Sequence, residues 1–320
     1  MNSKPKISVV VPLFNEENSI VPIYKRLTKL TDDSEFDWEF LFVDDGSQDK
    51  TRSNIHAIVE RDDRVTGVYL VKNYGVTQAL LAGFDTARGD YVVTMSGILE
   101  DDPDEIPHFI QKLESGFDVC IGVRQITDKP THHKIFLKIL GRLLSIVSGV
   151  KLKDYSTIFR AYRGELVKNL FLSGNVARYI PVYLKWQGAR LCEVDIGYYP
   201  RSRGLRKRDG VVKSGIKTIL DLMFLRFIQR YSSRPMYFFG APGLLSLFLG
   251  IISFCVMLFY RFSGEKMFIE TPLPTLSAML VLIGIIFIAL GILSELLNRI
   301  YQNLPKRKIY EINKLDRRLG

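Results

Sequence analysis

Cysteine is scarce in this 320-residue sequence: Cys120, Cys192 and Cys255 stand far apart, are odd in number and lack metal-like spacing. That argues against a disulfide framework and for a reducing environment around the polar part of the chain. Internal repeats and low-complexity tracts are absent too. The first residues are polar and lead into a short strand-like run, so no signal peptide is expected. Charge is missing from two long stretches, Met236–Tyr260 over 25 residues and Leu273–Ser294 over 22. A hydrocarbon core takes about 20 apolar residues to cross, so both are expected to be transmembrane helices, with a buried hairpin in a soluble protein as the alternative. With no intramembrane charge before Glu295, the pair offers no evident path for a transported ion.

Charge is abundant elsewhere. The mean hydropathy of +0.08 coexists with 24% charged residues because the apolar residues gather beyond Met236. The net charge is +10, and ten Lys/Arg fall between Pro200 and Pro235 against only Asp209 and Asp221. Such a run suits nucleic acid or anionic headgroups. Its place directly before an apolar span favours the headgroups, at roughly 1 kcal/mol per basic residue near the surface. Of Lys and Arg, the loop between the spans carries only Arg261 and Lys266, whereas the tail carries Lys306, Arg307, Lys308, Lys314, Arg317 and Arg318. By the positive-inside rule, both termini are expected on the cytoplasmic side of an inner or plasma membrane.

The first half alternates short apolar runs (Ile7–Val11, Phe40–Val43, Val65–Val71, Tyr91–Met95, Val119–Val123) with helical stretches (Ser19–Leu30, Thr51–Arg61, Thr77–Ala87, Asp104–Leu113). Runs of this kind are strands buried on both faces, and their alternation with helices implies a mostly parallel, covered sheet. Ligands of such sheets bind beyond the carboxyl ends of the strands. His132–Val150 reads equally as a core helix and as one lying in the membrane interface, whereas for Val211–Tyr231 the interfacial reading is preferred.

The first strand ends in Val11-Pro12-Leu13-Phe14-Asn15-Glu16-Glu17, the second in Val43-Asp44-Asp45-Gly46-Ser47-Gln48-Asp49. Asn15 and Glu16 suit helix capping, and a carboxylate at a strand end can accept hydrogen bonds from a base or ribose. In this order the two segments resemble the inverting family 2 glycosyltransferases of GT-A fold, with their P-x-x-N-E and D-D-G-S-x-D motifs. Lys72-Asn73-Tyr74-Gly75 with Gln78 to Gly83, Asp154 to Arg163, Arg201 to Lys207 and Ser294 to Tyr301 are similar to segments of the polyisoprenyl-phosphate branch, which includes dolichyl-phosphate mannose synthases and bacterial polyprenyl-phosphate glucosyltransferases.

This resemblance implies an α/β GT-A domain (Rossmann-like, mostly parallel sheet) over 1–210, a juxtamembrane amphipathic helix over 211–235, spans at 236–260 and 273–297, and a basic cytoplasmic tail over 298–320. It implies transfer of a hexose from a GDP-, UDP- or dTDP-sugar to a polyprenyl (undecaprenyl or dolichyl) phosphate. Membrane lipids and a homo-oligomer are implied as partners, and nucleic acid is not. On the nucleotide-sugar side the expected residues are Pro12, Asn15, Glu16, Asp44, Asp45, Gln78, Ser96 and Asp101. Arg124, Arg160, Arg201, Arg203 and Lys207 are expected at the lipid phosphate, since Arg forks suit phosphate. Asp154, Arg160 and Arg124 are expected to be catalytic.

The pattern breaks after the fourth strand, where the family's D-x-D is replaced by Ser96-Gly97-Ile98. The family implies Mg²⁺ or Mn²⁺, and such cations take hard oxygen ligands that Ile98 does not offer. Glu100 and Asp101, with Asp102 beside them, are the remaining candidate ligands. Ile158 stands near the place of a family carboxylate thought to act as base, leaving Asp154 to stand in. A catalytically degenerate member that binds lipid or a partner protein is therefore the alternative.

Overall fold

The computed structural model describes residues 4–31, 34–124, 141–146, 148–168, 170, 172, 174, 176–197, 235–263, 272–303 and 308–318. The expected helix over His132–Val150 is described only from residue 141, with 141–146 helical, and the juxtamembrane helix 211–235 lies outside the described residues apart from its last. The chain forms two compact units, one of Met1–Leu222 with Arg307–Gly320, the other of Met223–Lys306.

The first unit is built on eight strands: β1 (Lys6–Leu13), β2 (Asp37–Asp44), β3 (Val65–Leu70), β4 (Tyr91–Thr94), β5 (Val119–Arg124), β6 (Arg160–Arg163), β7 (Leu191–Ile196) and β8 (Ile312–Arg317). Their order across the sheet is β7-β5-β6-β4-β1-β2-β3-β8. β1 pairs in parallel with β2 and β4, β2 with β3, and β5 with β7, while β6 and β8 run antiparallel to their neighbours. The connections β1–β2 and β2–β3 are carried by α1 (Ile20–Lys29) and α2 (Thr51–Val59), the crossover type that parallel strands require. α3 (Val76–Thr86) and α4 (Ile106–Glu114) follow β3 and β4, and two short helices, α5 (Gly164–Val167) and α6 (Ile180–Trp186), follow β6.

Side chains on the two faces of β1 show why the central strands read as unbroken apolar runs. Ile7, Val9, Val11 and Leu13 join Phe40 and Phe42 of β2 in a core closed by Ile20, Ile23 and Leu27 of α1, Ile55 and Ile58 of α2 and Phe109 and Ile110 of α4. Val10, also fully buried, meets α3 instead. There Gly83 is required, because a Cβ added to it would lie 2.2 Å from Val10 Cγ1. α3 therefore sits closer to the sheet than any side chain at that position permits.

The second unit is a hairpin of two long helices, α7 (Pro235–Phe262) and α8 (Leu273–Asn303). Each contains a 25-residue segment long and apolar enough to cross a membrane, Phe238–Phe262 and Leu273–Leu297. Small residues line the seam between them. A Cβ on Gly284 would stand 2.9 Å from Gly243 O, and one on Gly250 would stand 2.9 Å from Val281 Cγ2. Ser246 Oγ donates to Leu280 O at 2.7 Å and Ser277 Oγ to Ser253 Oγ at 2.9 Å. Close approach of small residues with serine hydrogen bonds is how helices associate where lipid removes any hydrophobic drive. The large side chains, Phe248, Ile251, Leu282 and Ile286 among them, point away from the seam and are exposed.

The Gly83–Val10 contact makes a direct test of the packing. Gly83→Ala gains helix propensity worth about 1 kcal/mol but overpacks a rigid interface, which costs about 1–3 kcal/mol. A lowered melting temperature of the detergent-solubilised protein is expected by differential scanning fluorimetry. Restoration by a compensating Val10→Ala would tie the loss to this contact.

Candidate active site

Three adjacent parallel strands, β2, β1 and β4, end at one edge of the sheet. Leu13 lies opposite Asp44, and Val10 opposite Thr94. The loops that leave these ends are bonded to one another. Asn15 N donates to Ser47 Oγ and Gln48 N to Asn15 Oδ1, both at 2.9 Å, and Glu16 N donates to Thr51 Oγ1 at 2.9 Å. Asn15 adopts a left-handed backbone (φ 54°), which asparagine tolerates better than most residues. Asn15 and Glu16 thus tie the first loop to the second, and Glu16 also receives Ser19 Oγ at 2.9 Å.

The paired aspartates are both buried, and each carboxylate organises a different neighbour. Asp44, with no exposed surface, accepts Ser47 N at 3.1 Å and Arg52 Nε at 3.2 Å. Asp45 accepts Tyr74 N at 2.7 Å and Gly75 N at 2.9 Å, fastening the loop after β3 to the end of β2. Burial pushes the Asp45 carboxyl above its ordinary value, against the pull of those two N–H groups. Gly46 (φ +70°) follows Asp45, and a Cβ there would come within 2.4 Å of Lys72 C, so only glycine lets the turn rest on the Lys72-Asn73 backbone.

The loop after β4 departs from the family pattern but is tightly built. Ser96 N donates to Asp101 Oδ2 at 2.6 Å, and Gly97 packs on Pro12, where a Cβ would lie 2.6 Å from the Pro12 carbonyl oxygen. Leu99 holds a left-handed backbone (φ 60°), a strained state for leucine. Asp101 is 4% exposed, and burial pushes its carboxyl up to about 6 although Ser96 N and the nearby Arg124 pull it down. Among the described residues no group of three or more His, Cys, Asp or Glu side chains is arranged to hold a metal ion. Glu100 and Asp101 therefore do not make up a cation site with their described neighbours. With Ser96 and Ile98 in the usual ligand places, the donor set among the described residues does not fit the Mg²⁺ or Mn²⁺ that the resemblance implies.

β5 runs parallel to β4 across β6, so Arg124 at its end reaches the same edge. Its Nε donates to Asp154 Oδ2 at 2.8 Å and its Nη2 to Ser156 Oγ at 2.5 Å. The Arg124 and Asp154 side chains are largely shielded, at 12% and 13% exposure. Although burial opposes it, the Arg124 guanidinium and the Ser156 hydroxyl hold the Asp154 carboxyl below its ordinary value, so it stays ionised at neutral pH.

The remaining expected residues are placed differently. Arg160, at the start of β6, is 1% exposed and donates to Ala177 O at 2.9 Å, Arg178 O at 3.0 Å and Tyr155 O at 3.3 Å. Its guanidinium braces the chain around α6, with Nε buried and unpartnered. Gln78 on α3 is buried and donates to Leu172 O at 3.1 Å. Arg201, Arg203 and Lys207 lie outside the described residues. Two contributors escaped the sequence reading: Arg52, which holds Asp44, and Ser156, which shares Arg124 with Asp154. Arg52 had a visible signal, since it follows the Asp44–Asp49 segment by one helical turn.

A mostly parallel sheet whose central carboxyl ends carry paired aspartates and loops bonded together is the frame of a GT-A-type sugar transferase. The chain belongs to glycosyl transferase family 2, whose pattern matches residues 8–171. The dodecaprenyl-phosphate galacturonate synthase of Rhizobium johnstonii is 33% identical over 310 residues, covering 92% of this chain and 88% of that protein. An undecaprenyl-phosphate 4-deoxy-4-formamido-L-arabinose transferase of Shewanella sediminis is 28% identical over 96% of this chain and 91% of its own length. Among solved structures, glucosyl-3-phosphoglycerate synthase from Mycobacterium tuberculosis, in complex with Mn²⁺, UDP-glucose and phosphoglyceric acid, superposes with a TM-score of 0.53 at 20% identity, covering 69% of this chain and 79% of that one. That likeness shows the shared GT-A fold.

The Asp101 carboxyl gives a pH test. A group whose pKa rises from 3.8 to about 6 on folding stabilises the fold when protonated and withdraws that stability as pH rises through this window. The full penalty, at most about 3 kcal/mol, is present above about pH 6. Asp101→Asn keeps an oxygen for Ser96 N and removes the charge. Its melting temperature is expected to exceed that of the wild type at pH 7.5, the gap closing as pH falls towards about 4. A gap constant with pH would refute the assignment.

Proposed function

We propose that the chain transfers a sugar from a nucleoside diphosphate donor to the phosphate of a polyprenyl lipid at the cytoplasmic membrane surface, with inversion at the anomeric carbon. The observation that carries this reading is the extent of the relatives' match. Two proteins named for sugar transfer to dodecaprenyl or undecaprenyl phosphate align over 92% and 96% of this chain, a span too long to leave out the apolar hairpin.

The chemistry is compatible with the residues present. A lipid phosphate is already an anion and needs little activation to attack the anomeric carbon. The enzyme's tasks are to align two negatively charged partners and to accept the charge that develops on the leaving diphosphate. The loops after β1, β2 and β4, with Asp45 at their centre, form the donor side. Arg124 supplies a cation for phosphate oxygens, and Asp154, kept ionised, orients it and stands near the reacting groups. Because the donor set among the described residues does not fit a divalent cation, no step is assigned to one.

Topology supports the membrane arrangement. β8 belongs to the same sheet as β1 to β7, so the chain leaves that unit before α7 and rejoins it after α8. That supports an even number of crossings, with both ends of the chain on the sheet's side. The Lys/Arg-poor loop then faces outward, as the positive-inside rule asks.

The test is incubation of the purified full chain with UDP-, GDP- and dTDP-sugars and undecaprenyl phosphate, with and without chelator. Glycolipid product that persists in chelator is expected. Nucleotide binding without any product would favour the catalytically degenerate alternative, and neither binding nor product across the panel would sink the reading. Arg124→Ala is expected to lower kcat by at least about tenfold, by analogy with loss of one charge-stabilising donor. Asp45→Ala is expected to weaken nucleotide affinity in calorimetry, because Tyr74 and Gly75 lose their anchor. Unchanged affinity would put the donor elsewhere.

A further inference from the structure

β8 lies outside the residues matched to the family, yet a chain of contacts leads from it to the donor side. Asp44, at the end of β2, is held by Arg52 at 3.2 Å. The Arg52 guanidinium also donates to Leu70 O at 3.2 Å and lies over the Tyr69 ring, 5.3 Å from its centroid. Tyr69 OH in turn contacts Asp316 Oδ2 of β8 at 3.5 Å, and the same oxygen meets His56 Nδ1 of α2 at 2.5 Å. The other carboxylate oxygen faces Lys314 Nζ at 3.5 Å. Between these groups opens a cavity of about 460 Å³, lined by Arg52, His56, Tyr69, Lys314 and Asp316 among others.

That cavity matters because the Arg52 side chain is 43% exposed. A long, half-exposed side chain beside open space keeps one rotamer only if its surroundings hold it there. Asp44 grips one side of the guanidinium, and the Tyr69 ring backs its face. The ring's hydroxyl rests against Asp316 at 3.5 Å, and Asp316 is seated by His56 and Lys314. The β8 ladder keeps the carboxylate at this height, with Tyr69 opposite Lys314 and Gly67 opposite Asp316.

We propose that Asp316 of β8 is a positioning residue for the donor site: through Tyr69 it fixes Arg52 on Asp44, and so sets the Asp44–Ser47 turn on which nucleotide binding depends. The strand that follows the apolar hairpin thereby completes the donor side. This rests on the donor placement proposed above, and the experiment separates the two.

Binding of uridine, guanosine and thymidine diphosphate to the full chain in detergent is measured by calorimetry. The variants are Asp316→Ala, Asp316→Glu, Tyr69→Phe, Arg52→Ala and the double variant Arg52→Ala/Asp316→Ala. With the diphosphate that the wild type binds, Asp316→Ala is expected to raise Kd by about threefold to tenfold, the range that coupled neighbours show. Donor KM is expected to rise in parallel while kcat changes less than about twofold, as loss of uniform binding requires. Asp316→Glu should recover part of the loss. In the Arg52→Ala background, Asp316→Ala should add nothing. Tyr69→Phe keeps β8 and the ring in place, so its weaker binding reads the same link if Asp316→Ala fails to fold. Unchanged affinity in both variants, or an equal loss with and without Arg52, overturns the proposal alone. A wild type that binds none of the three diphosphates overturns the donor placement and this proposal with it.

Discussion

Two backbone N–H groups bound to the Asp45 carboxylate hold the candidate site in one piece. They come from Tyr74 and Gly75, 29 and 30 residues further along the chain, and they join the loop after β3 to the end of β2. Buried amides need acceptors, and a buried carboxylate needs donors. Here each solves the other's problem, and Gly46 allows the two backbones to touch. The loops after β1 and β4 then lean on this centre, the first through Asn15 and Ser47 and the second through Gly97 on Pro12. Without the Asp45 bonds the loop after β3 would lose its hydrogen-bonded tie to the end of β2.

The strands that are buried on both faces were legible in the sequence, because nothing in their surroundings competes with an apolar run. β1 to β5 and α1 to α4 fall within a few residues of the expected positions. The later strands were missed for physical reasons. β6 is four residues, Arg160–Arg163, whose end arginines look like surface charge, although Arg160 is buried by spending its guanidinium on carbonyls. β8 reads Ile-Asn-Lys-Leu-Asp-Arg and is mostly exposed, so it carries no buried face to betray it. An edge strand of this kind is blunted by charge, and the basic tail expected over 298–320 contains one.

The same contrast runs through the candidate residues. Asp44, Asp45, Asn15 and Glu16 stand together as the motif order suggested, yet their side chains bind protein rather than open space. Spacing shows that a carboxylate sits at a strand end, but not which donor it meets. Asp101 illustrates the point. In a loop that has lost both aspartates of the family pattern, its carboxylate turns inward to Ser96 N instead of outward. Leu99 holds a left-handed backbone in the same turn. The loop thus closes on an internal acceptor.

β8 also returns the chain to the sheet after the hairpin. Its contact from Asp316 to Tyr69 closes a loop of 247 residues, with both apolar helices inside it. Closing so long a loop costs little more than closing one half its length, since the entropy grows only with the logarithm. The strand itself buries little apolar area, so its seating depends on directed interactions. Arg317 reaches the buried Glu39, which Ser8 Oγ and Arg88 N also serve, and Lys308 and Tyr310 both meet Asp85 of α3. Glu39 is the decisive one. Its Oε2 is already occupied by two donors, and Arg317 is the cation that faces Oε1, so a departing β8 would leave a buried carboxylate without its counter-charge. An edge strand that neutralises a charge in the sheet it joins is bound in register, because a slip of one residue would turn Arg317 to the other face.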